Sequence, residues 1–538
     1  MHNFLRTLLL CSLVALLSIP ALSQPFMFQN MGPTFPTDDP IVKGMYREAM
    51  EMSQLPKLAH ELLDVIGPRL VGSPSVLKAS DWAIAKYKTW GIEAKNEKYG
   101  EWRGWERGTA HIDLLQPRVR TLEGTMLSWS PATKKGGVTA GLIIIADLPD
   151  SAAFQKWLPA VKGKFVLVSA PSPTGRPDKV WEEFGTKESF DSLKALRTRI
   201  NDEWRNRIRK TGFPNDRSDR NDALAIVLEN AGAVGVVFSM WSTGWGTYRV
   251  FGTTNEKTPV VALSLEDYNL LYRLVEYGDN PIIKVEVESK FLGAAPAFNT
   301  IGVIKGTEKP DEYVVLSAHL DSWEAGSGAT DNGSGTLIMM ETMRILKKFY
   351  PNPKRTIIVG HWDSEEQGLN GSKAYVKDHP EIMEKIQAVF NQDNGSGRIT
   401  SISASGFLVG SEHLARWIAR TPDNLTRGIT LGLPGMPGRG GTDHASFVAA
   451  GAPSFGLNSN AWEYSSYTWH TNRDTYDKLV FDDLETNVAL TACLVYQACE
   501  DPTFVARDRR VLPEDRRTGK QQTWPEVLDP ERAGGLKK

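Results

Sequence analysis

Apolar positions along the chain follow two alternating patterns, one typical of buried strands and the other of amphipathic helices. After residue 299, short apolar runs alternate with helical stretches, and the runs are NTIGVIKG, YVVLSAHLD, RTIIVGHWD, QAVFNQDN and APSFGLN. Strands that alternate with helices indicate a mainly parallel sheet with helices on both faces. We therefore predict an α/β fold with a mainly parallel (mixed) central sheet.

The first part of the chain follows a helical pattern and then a strand pattern. Apolar residues recur every three or four positions over residues 42–66, which predicts a helix that Pro56 can break. Ser73 or Ser75 can cap the next helix, which Gly91 closes. Residues 92–115 are predicted to form strands.

The pattern changes near Gly124, where short β runs and small helices are separated by glycine-rich turns. A highly charged helical stretch lies within this region, at residues 179–210. The flanking residues look like parts of one α/β unit, so residues 123–290 are predicted to be an inserted domain. A chain of 538 residues is too long for a single core. The predicted segments are 1–23 (signal peptide), 24–122 and 291–505 (catalytic domain), 123–290 (insert) and 506–538 (tail).

The first residues predict export to the periplasm or the outside of the cell. Arg6 precedes an apolar run at residues 7–19, and a small-x-small cleavage site lies before Gln24. The alternative is an uncleaved membrane anchor, although the run is shorter than the roughly 20 residues of a span. No later stretch predicts a membrane span. Cys493 and Cys499, six positions apart in one predicted helix, are too far apart for a disulfide.

Composition argues against nucleic acid as a partner, because the formal net charge is only −2 and nucleic-acid binding favours a basic face. The chemistry lies instead in residues that follow the predicted strands. His319 follows YVVLSA, and Asp321 lies on the same side of the extended chain, where a carboxylate can fix the tautomer of a metal-binding histidine. Asp331 precedes a Gly-Ser-Gly turn, where its carboxylate can bridge two ions.

Four more polar residues follow later strands or lie in later loops. Glu365 and Glu366 are adjacent, so one can bind metal while the other acts as a base. Asp393 follows the next strand, and His470 lies in YTWHTNRDT with Asp474 as a candidate partner. Carboxylates with imidazoles suit zinc, with manganese or cobalt as alternatives. Two ions that share a carboxylate lie roughly 3.5–4 Å apart, where they activate a bridging water and polarise a carbonyl.

Several motifs together resemble the di-zinc exopeptidases related to bacterial leucyl aminopeptidase and plasma glutamate carboxypeptidase, in the carboxypeptidase Q-like branch. The motifs are HLDSWEAGSGATDNGSG, WDSEEQG, NQDN, GGTDHASF and WHTNRDT. The resemblance also implies that the insert is a protease-associated domain. There is no HExxH helix, which excludes a thermolysin-like single-zinc site.

The resemblance implies a role for each residue. It places His319 and Asp393 on one Zn²⁺, Glu366 and His470 on the other, and Asp331 between them. Glu365 becomes the general base and Asp321 orients His319, while Asp443 and His444 flank the substrate pocket.

The function that we predict is an exported metallo-exopeptidase with two Zn²⁺ per chain, which hydrolyses short peptides or dipeptides as an aminopeptidase, dipeptidase or carboxypeptidase Q-like enzyme. One alternative is a glutaminyl-peptide cyclase, which uses one zinc for an acyl transfer without water. Another is a receptor-like protein without catalysis, although no ligand position and no base is lost. The partner is a peptide substrate, and the oligomeric state stays open, with a homodimer as one option.

Overall fold

The computed structural model describes residues 37–213 and 222–536. The predicted signal peptide, residues 1–23, lies outside the described residues. Within the described ranges, no helix is both long and apolar enough to cross a bilayer. Cys493 and Cys499 are buried and unpaired, as predicted.

Most strands lie on one open path of hydrogen-bonded neighbours, in the order β13-β12-β14-β11-β9-β10-β8-β4-β5-β6-β7-β3, while β1 pairs with β8, β2 and β15. In chain order the strands are β1 (Glu93–Gln116), β2 (Arg120–Thr121), β3 (Gly124–Met126), β4 (Val138–Ile144), β5 (Phe165–Leu167), β6 (Gly235–Phe238), β7 (Val260–Leu263), β8 (Ile282–Ile304), β9 (Lys309–His319), β10 (Arg355–Trp362), β11 (Ile386–Gln392), β12 (Ile399–Ser403), β13 (Thr430–Gly432), β14 (Ser454–Ser459) and β15 (Ala533–Gly534).

The helices cover this path and also form the N-terminal part of the described chain. In chain order they are α1 (Pro40–Glu51), α2 (Leu55–Ala59), α3 (Pro74–Thr89), α4 (Ser151–Trp157), α5 (Asp178–Phe184), α6 (Lys187–Lys210), α7 (Asp222–Asn230), α8 (Leu265–Glu276), α9 (Ser334–Phe349), α10 (Asn370–Asp378), α11 (Pro380–Met383), α12 (Leu408–Ala419), α13 (Asp423–Thr426), α14 (His444–Ala449) and α15 (Phe481–Glu500). Shorter π and 3₁₀ turns are His60–Ile66, Leu158–Val161, Ala329–Gly333, Tyr464–Thr468 and Tyr476–Lys478.

The central sheet is mixed, as predicted. Strands β14, β11, β9 and β10 are mutually parallel, whereas β8 and β12 pair in the antiparallel sense with β10 and β14. Every residue of β10 and of β11 is buried, which is what a sheet covered on both faces requires. The predicted α/β fold class is confirmed.

Alternating residues of β9 enter two different apolar cores. Val314 and Leu316 belong to a core shared with α9 and α15, whereas Val315 belongs to a core on the other face with Tyr375 of α10 and Phe447 of α14. This alternation follows from the two-residue repeat of a strand. The sheet is therefore held firmly between helices, and polar residues that follow its strands start from fixed positions.

The long strands β1 and β8 pair over most of their length and connect the central sheet to a second group of strands. Strand β4 pairs with β8, and β5, β6 and β7 continue from it in parallel. Residues of this second group form a further apolar core, which includes Val166, Leu228, Val236 and Tyr268. Strands β3–β7 all fall in the segment predicted to be an insert, but its boundaries stay a prediction.

Local details confirm or refine the sequence prediction at a few places. The helix over residues 42–66 is interrupted close to Pro56, as predicted, and Pro56 itself lies in the first turn of α2, where a proline costs no hydrogen bond. The charged stretch is helical as predicted, but it forms two helices, α5 and α6. Helix α10 was not predicted, because its short GSKAYVKD sequence has little apolar periodicity.

Candidate metal centre

Several predicted site residues lie at the carboxyl ends of neighbouring strands of the central sheet. Strand β9 ends at His319, β10 ends shortly before Glu365 and Glu366, and β11 ends directly before Asp393. These three strands are parallel neighbours, so their carboxyl ends lie side by side. The sheet therefore brings together side chains that are far apart in sequence.

His319, Asp331 and Asp393 form the first candidate ligand group. His319 Nε2 lies 3.4 Å from Asp331 Oδ1 and 3.3 Å from Asp393 Oδ1. Asp331 lies in the π turn before α9. All three side chains are buried, and their donor atoms lie within 4.8 Å of one another. This spacing fits a single bound ion.

Asp331, Glu366 and His470 form the second group. His470 Nε2 lies 2.8 Å from Glu366 Oε2 and 3.3 Å from Asp331 Oδ2. Asp331 thus turns one carboxylate oxygen toward each histidine. A carboxylate in this position can bridge two ions.

Several buried atoms of these groups have no hydrogen-bond partner among the described residues, and they include His319 Nε2, Asp331 Oδ2 and Glu366 Oε1. Buried polar atoms of folded proteins are almost always satisfied. Imidazole nitrogens and carboxylate oxygens together are ligands that zinc and related divalent ions accept. The residues therefore fit metal ions as the missing partners.

The charges of the two groups act strongly on one another. Burial raises the pKa of Glu366 to about 7, although His470 opposes the shift. Burial lowers the pKa of His470, but attraction to Glu366 and Asp331 outweighs burial and raises it to about 10. The pKa of His319 is likewise raised, because Asp393 and Glu365 outweigh its burial. These carboxylates hold protons on the imidazoles, and a divalent cation would displace those protons.

The Asp474 carboxylate contacts the backbone at Asp331 and not the side chain of His470. Its carboxylate accepts hydrogen bonds from the backbone N–H groups of Thr330 (2.8 Å) and Asp331 (3.1 Å). The expectation that Asp474 is a partner of His470 is therefore wrong. Spacing along the loop suggested that pairing, but the fold turns the side chain toward the bridging residue.

Asp321 connects His319 to the glutamate pair. His319 Nδ1 lies 3.0 Å from the Asp321 carbonyl oxygen and 3.5 Å from its carboxylate. The Asp321 carboxylate accepts hydrogen bonds from the backbone N–H groups of Glu365 (3.1 Å) and Glu366 (3.2 Å). The contact nearest to the imidazole is thus a backbone carbonyl, while the carboxylate fixes the turn that carries both glutamates.

Glu365 lies beside the ligand groups without joining either of them. Its Oε2 is 4.0 Å from His319 Nε2, and it is absent from both sets of close donor atoms. Burial raises the pKa of Glu365 well above its usual range, and the charges of Asp393 and Asp443 raise it further. A carboxylate in this setting is suited to accept a proton.

Residues 299–495 match the family model described as peptidase family M28, and this range contains both candidate ligand groups. Carboxypeptidase Q of Mus musculus is 26% identical over 428 residues, which cover 80% of this chain and 81% of that protein. Over residues 299–495, the chain is therefore similar to peptidase family M28. Carboxypeptidase Q of Homo sapiens is also 26% identical over 428 residues, with the same coverage.

Solved structures agree with the M28 assignment. The structure of the Peptidase M28 precursor from Shewanella amazonensis has a TM-score of 0.63 and 25% identity, and it covers 88% of this chain and 98% of that one. The zinc aminopeptidase BSAP from Bacillus subtilis has a TM-score of 0.53 at 20% identity, with 83% and 95% covered, which shows the shared fold. The predicted resemblance to this family and the predicted enzyme class, a metallo-exopeptidase, are confirmed.

Asp443 and His444 lie at the start of α14, and both are close to the ligand groups without joining them. Burial raises the pKa of Asp443 to about 7, and His319 opposes the shift. Burial lowers the pKa of His444 to about 4, so its imidazole is neutral near pH 7. The predicted place of both residues beside the substrate stays a prediction.

Tyr464 is a residue of the site that sequence reasoning missed. Burial raises the pKa of its phenol well above the usual range, and its hydroxyl interacts with Asp331. It lies in the loop that carries His470, at the start of the π turn Tyr464–Thr468. Its only signal in the sequence is that proximity to His470, because tyrosine is common in loops of many kinds.

Arg69 is the second missed residue, and it lies fully buried beneath the site. Its guanidinium donates to the carbonyl oxygens of Leu320 (2.6 Å), Gly67 (3.0 Å), Ser327 (2.7 Å) and Gly328 (2.9 Å). Burial lowers its pKa to about 10, with the nearby carboxylates opposing that shift. Arg69 therefore remains charged at neutral pH.

Replacement of Arg69 by methionine is expected to destabilise the protein by about 3–5 kcal/mol, the range typical of removing one partner of a buried charged contact. The loss has two causes, since four carbonyl oxygens lose a hydrogen-bond donor and several carboxylates lose a counter-charge. Denaturant unfolding in the presence of chelator measures it. Arg118→Met, at an exposed position, serves as the control, and equal stability of the two variants would contradict this role.

Proposed function

We propose that this chain is an exported exopeptidase that uses two zinc ions to hydrolyse the terminal bond of short peptides or dipeptides. The observation that carries the proposal is Asp331, which belongs to two ligand groups at once and turns one oxygen toward each. A bridging carboxylate between two imidazole-containing groups is suited to a pair of divalent ions. One structural neighbour, BSAP from Bacillus subtilis, is a zinc aminopeptidase.

The proposed ligands divide evenly between the two ions. His319 and Asp393 hold one, Glu366 and His470 hold the other, and Asp331 contributes to both. When bound, such ions supply Lewis acidity, which polarises a carbonyl group and lowers the pKa of water. Manganese or cobalt can occupy sites of the same donor type.

Glu365 is proposed as the general base. Its carboxylate is buried next to the first ligand group but is not itself a ligand. It takes a proton from the attacking water at Oε and delivers that proton to the nitrogen of the leaving amine. Asp321 keeps Glu365 in place through the backbone of the glutamate turn. The phenol of Tyr464 interacts with Asp331, the carboxylate that both ions are proposed to share.

The proposal includes the predicted domain organisation and export. Residues 24–122 and 291–505 form the catalytic domain, and residues 123–290 form an inserted protease-associated domain, with Asp443 and His444 beside the substrate. The separate apolar core around β5, β6 and α8 supports the insert. Export rests on the predicted signal peptide, and the exported chain is expected to begin at Gln24.

The test is an activity panel on the exported protein, combined with metal analysis. We expect hydrolysis of dipeptides or aminoacyl anilides, loss of activity in chelator, and recovery with zinc at two ions per chain. Cyclisation of an N-terminal glutamine peptide with one ion per chain would support the cyclase alternative instead. Absence of turnover by the two-ion protein on all of these substrates would contradict the proposal.

A further inference from the structure

The loop that carries Tyr464 and His470 is clasped by the predicted insert. We name residues 462–473 the ligand loop and residues 241–251 the clasp. Val250 N donates to the His470 carbonyl oxygen (2.9 Å), and Asn472 N donates to the Tyr248 carbonyl oxygen (3.2 Å). The clasp thus contacts the backbone of the ligand loop directly at His470.

Side chains hold the same loop further along. The Arg249 guanidinium lies 4.6 Å from the Trp469 ring centre and donates to the Ser465 carbonyl oxygen (2.7 Å). Ser242 Oγ donates to the Ser466 carbonyl oxygen (2.8 Å). Outside the clasp, Lys179 of α5 forms an ion pair with Glu463. The ligand loop is therefore attached to the insert along most of its length.

The two candidate histidines are oriented by different means. His319 Nδ1 is 3.0 Å from a carbonyl oxygen, the usual arrangement in which the second nitrogen of a metal-binding imidazole is fixed by a polar partner. His470 Nδ1 is shielded from solvent and has no hydrogen-bond partner among the described residues. Unlike His319, His470 therefore has no hydrogen bond at its second nitrogen, among the described residues, that would orient the ring.

Aromatic rings surround His470 instead. Phe251 of the clasp lies 5.1 Å from the His470 ring, at 86° to its plane, and Trp323 lies 6.1 Å from it. Phe251 and Trp323 also contact each other at 5.4 Å. The perpendicular contact with Phe251 is attractive and restricts rotation of the His470 ring. It therefore helps to fix the direction in which His470 Nε2 points, together with the tilted contacts of Trp323 and of the neighbouring Trp469.

We propose that Phe251 is a positioning residue, through which the insert holds His470 toward the ion that it shares with Glu366. This inference rests on the proposed two-ion function. It predicts that the insert supports one metal position selectively, because His319 and Asp393 follow strands of the central sheet and Asp321 orients His319. The insert is then part of the metal centre as well as a neighbouring domain.

The test is zinc binding by Phe251→Ala, titrated against a competing chelator. Loss of an outer contact to a metal ligand typically lowers affinity about 10–100-fold. We expect that loss for one ion, the one assigned to Glu366 and His470, and unchanged affinity for the other. Cobalt substitution gives a second measurement. In Phe251→Ala, the visible absorption of only one of the two bound cobalt ions should differ from that in the wild type. Phe251→Leu keeps apolar bulk, and it replaces the alanine variant if that one does not fold.

Phe213→Ala is the matched control, because Phe213 is also a partly buried phenylalanine of the predicted insert and packs on Phe154 instead. It is expected to bind both ions as the wild type does. Two ions bound with unchanged affinity by the Phe251 variants would overturn the inference while leaving the proposed function intact. An equal loss of affinity for both ions would also overturn it. A wild type that binds only one ion would instead refute the proposed function.

Discussion

Glu365→Ala is expected to lower kcat by about 10²–10⁴ while both zinc ions stay bound. The size of this loss is that of a positioned acid or base group. Metal binding survives because Glu365 belongs to neither ligand group, and its closest approach to His319 Nε2 is 4.0 Å. Steady-state kinetics and metal analysis of one preparation measure both quantities.

Two further variants sharpen this experiment. Glu365→Gln keeps the size of the side chain and removes its basicity, so it should be nearly as slow as the alanine variant. Glu106→Ala removes an exposed glutamate of β1 and should keep wild-type kinetics. Turnover near the wild-type rate in Glu365→Gln would show that another group takes the proton.

His470→Ala is expected to reduce bound zinc from two ions to one per chain and to abolish most of the activity. The variant leaves the second ion with Glu366 and the shared Asp331, whereas the first keeps His319, Asp331 and Asp393. Loss of a ligand lowers the affinity for an ion more than loss of an outer contact does. The decrease in zinc affinity should therefore be larger in His470→Ala than in Phe251→Ala. Metal analysis after dialysis against a weak chelator measures it.

The control for this variant is His413→Ala. His413 is buried like His470, but it contacts Asp501 at 3.1 Å and belongs to neither ligand group. Its removal can cost stability, but both ions should stay bound. Full zinc occupancy in His470→Ala would refute the ligand assignment.

The fold and the ligand set were accessible from sequence for a simple reason. Buried strands leave long apolar runs, and a charged residue directly after such a run is conspicuous. His319 and Asp393 follow β9 and β11 in this way, and the glutamate pair follows β10 shortly after its end. Parallel strands then place these ends together without any further information.

Other parts of the site could not be predicted, because their contacts depend on how distant segments pack. Arg69 lies between two N-terminal helices, and only the folded chain brings its guanidinium beneath the turn at residues 320–328. Phe251 and Tyr464 are aromatic residues with no sequence pattern that distinguishes them from core or loop residues. Asp474 was recognised as a polar neighbour of His470, but its actual partner is the backbone at Asp331.

The position of Arg69 bears on whether the site can fold before it binds metal. Four carboxylates in its neighbourhood, those of Asp321, Asp331, Glu366 and Asp474, are attracted to its guanidinium. Like charges gathered in a buried place repel one another strongly unless a cation is present. A permanent cation supplied by the chain itself reduces that repulsion before any ion binds. Folding and metal binding can therefore be separate events, in which the ions bind to ligand groups that are already in place.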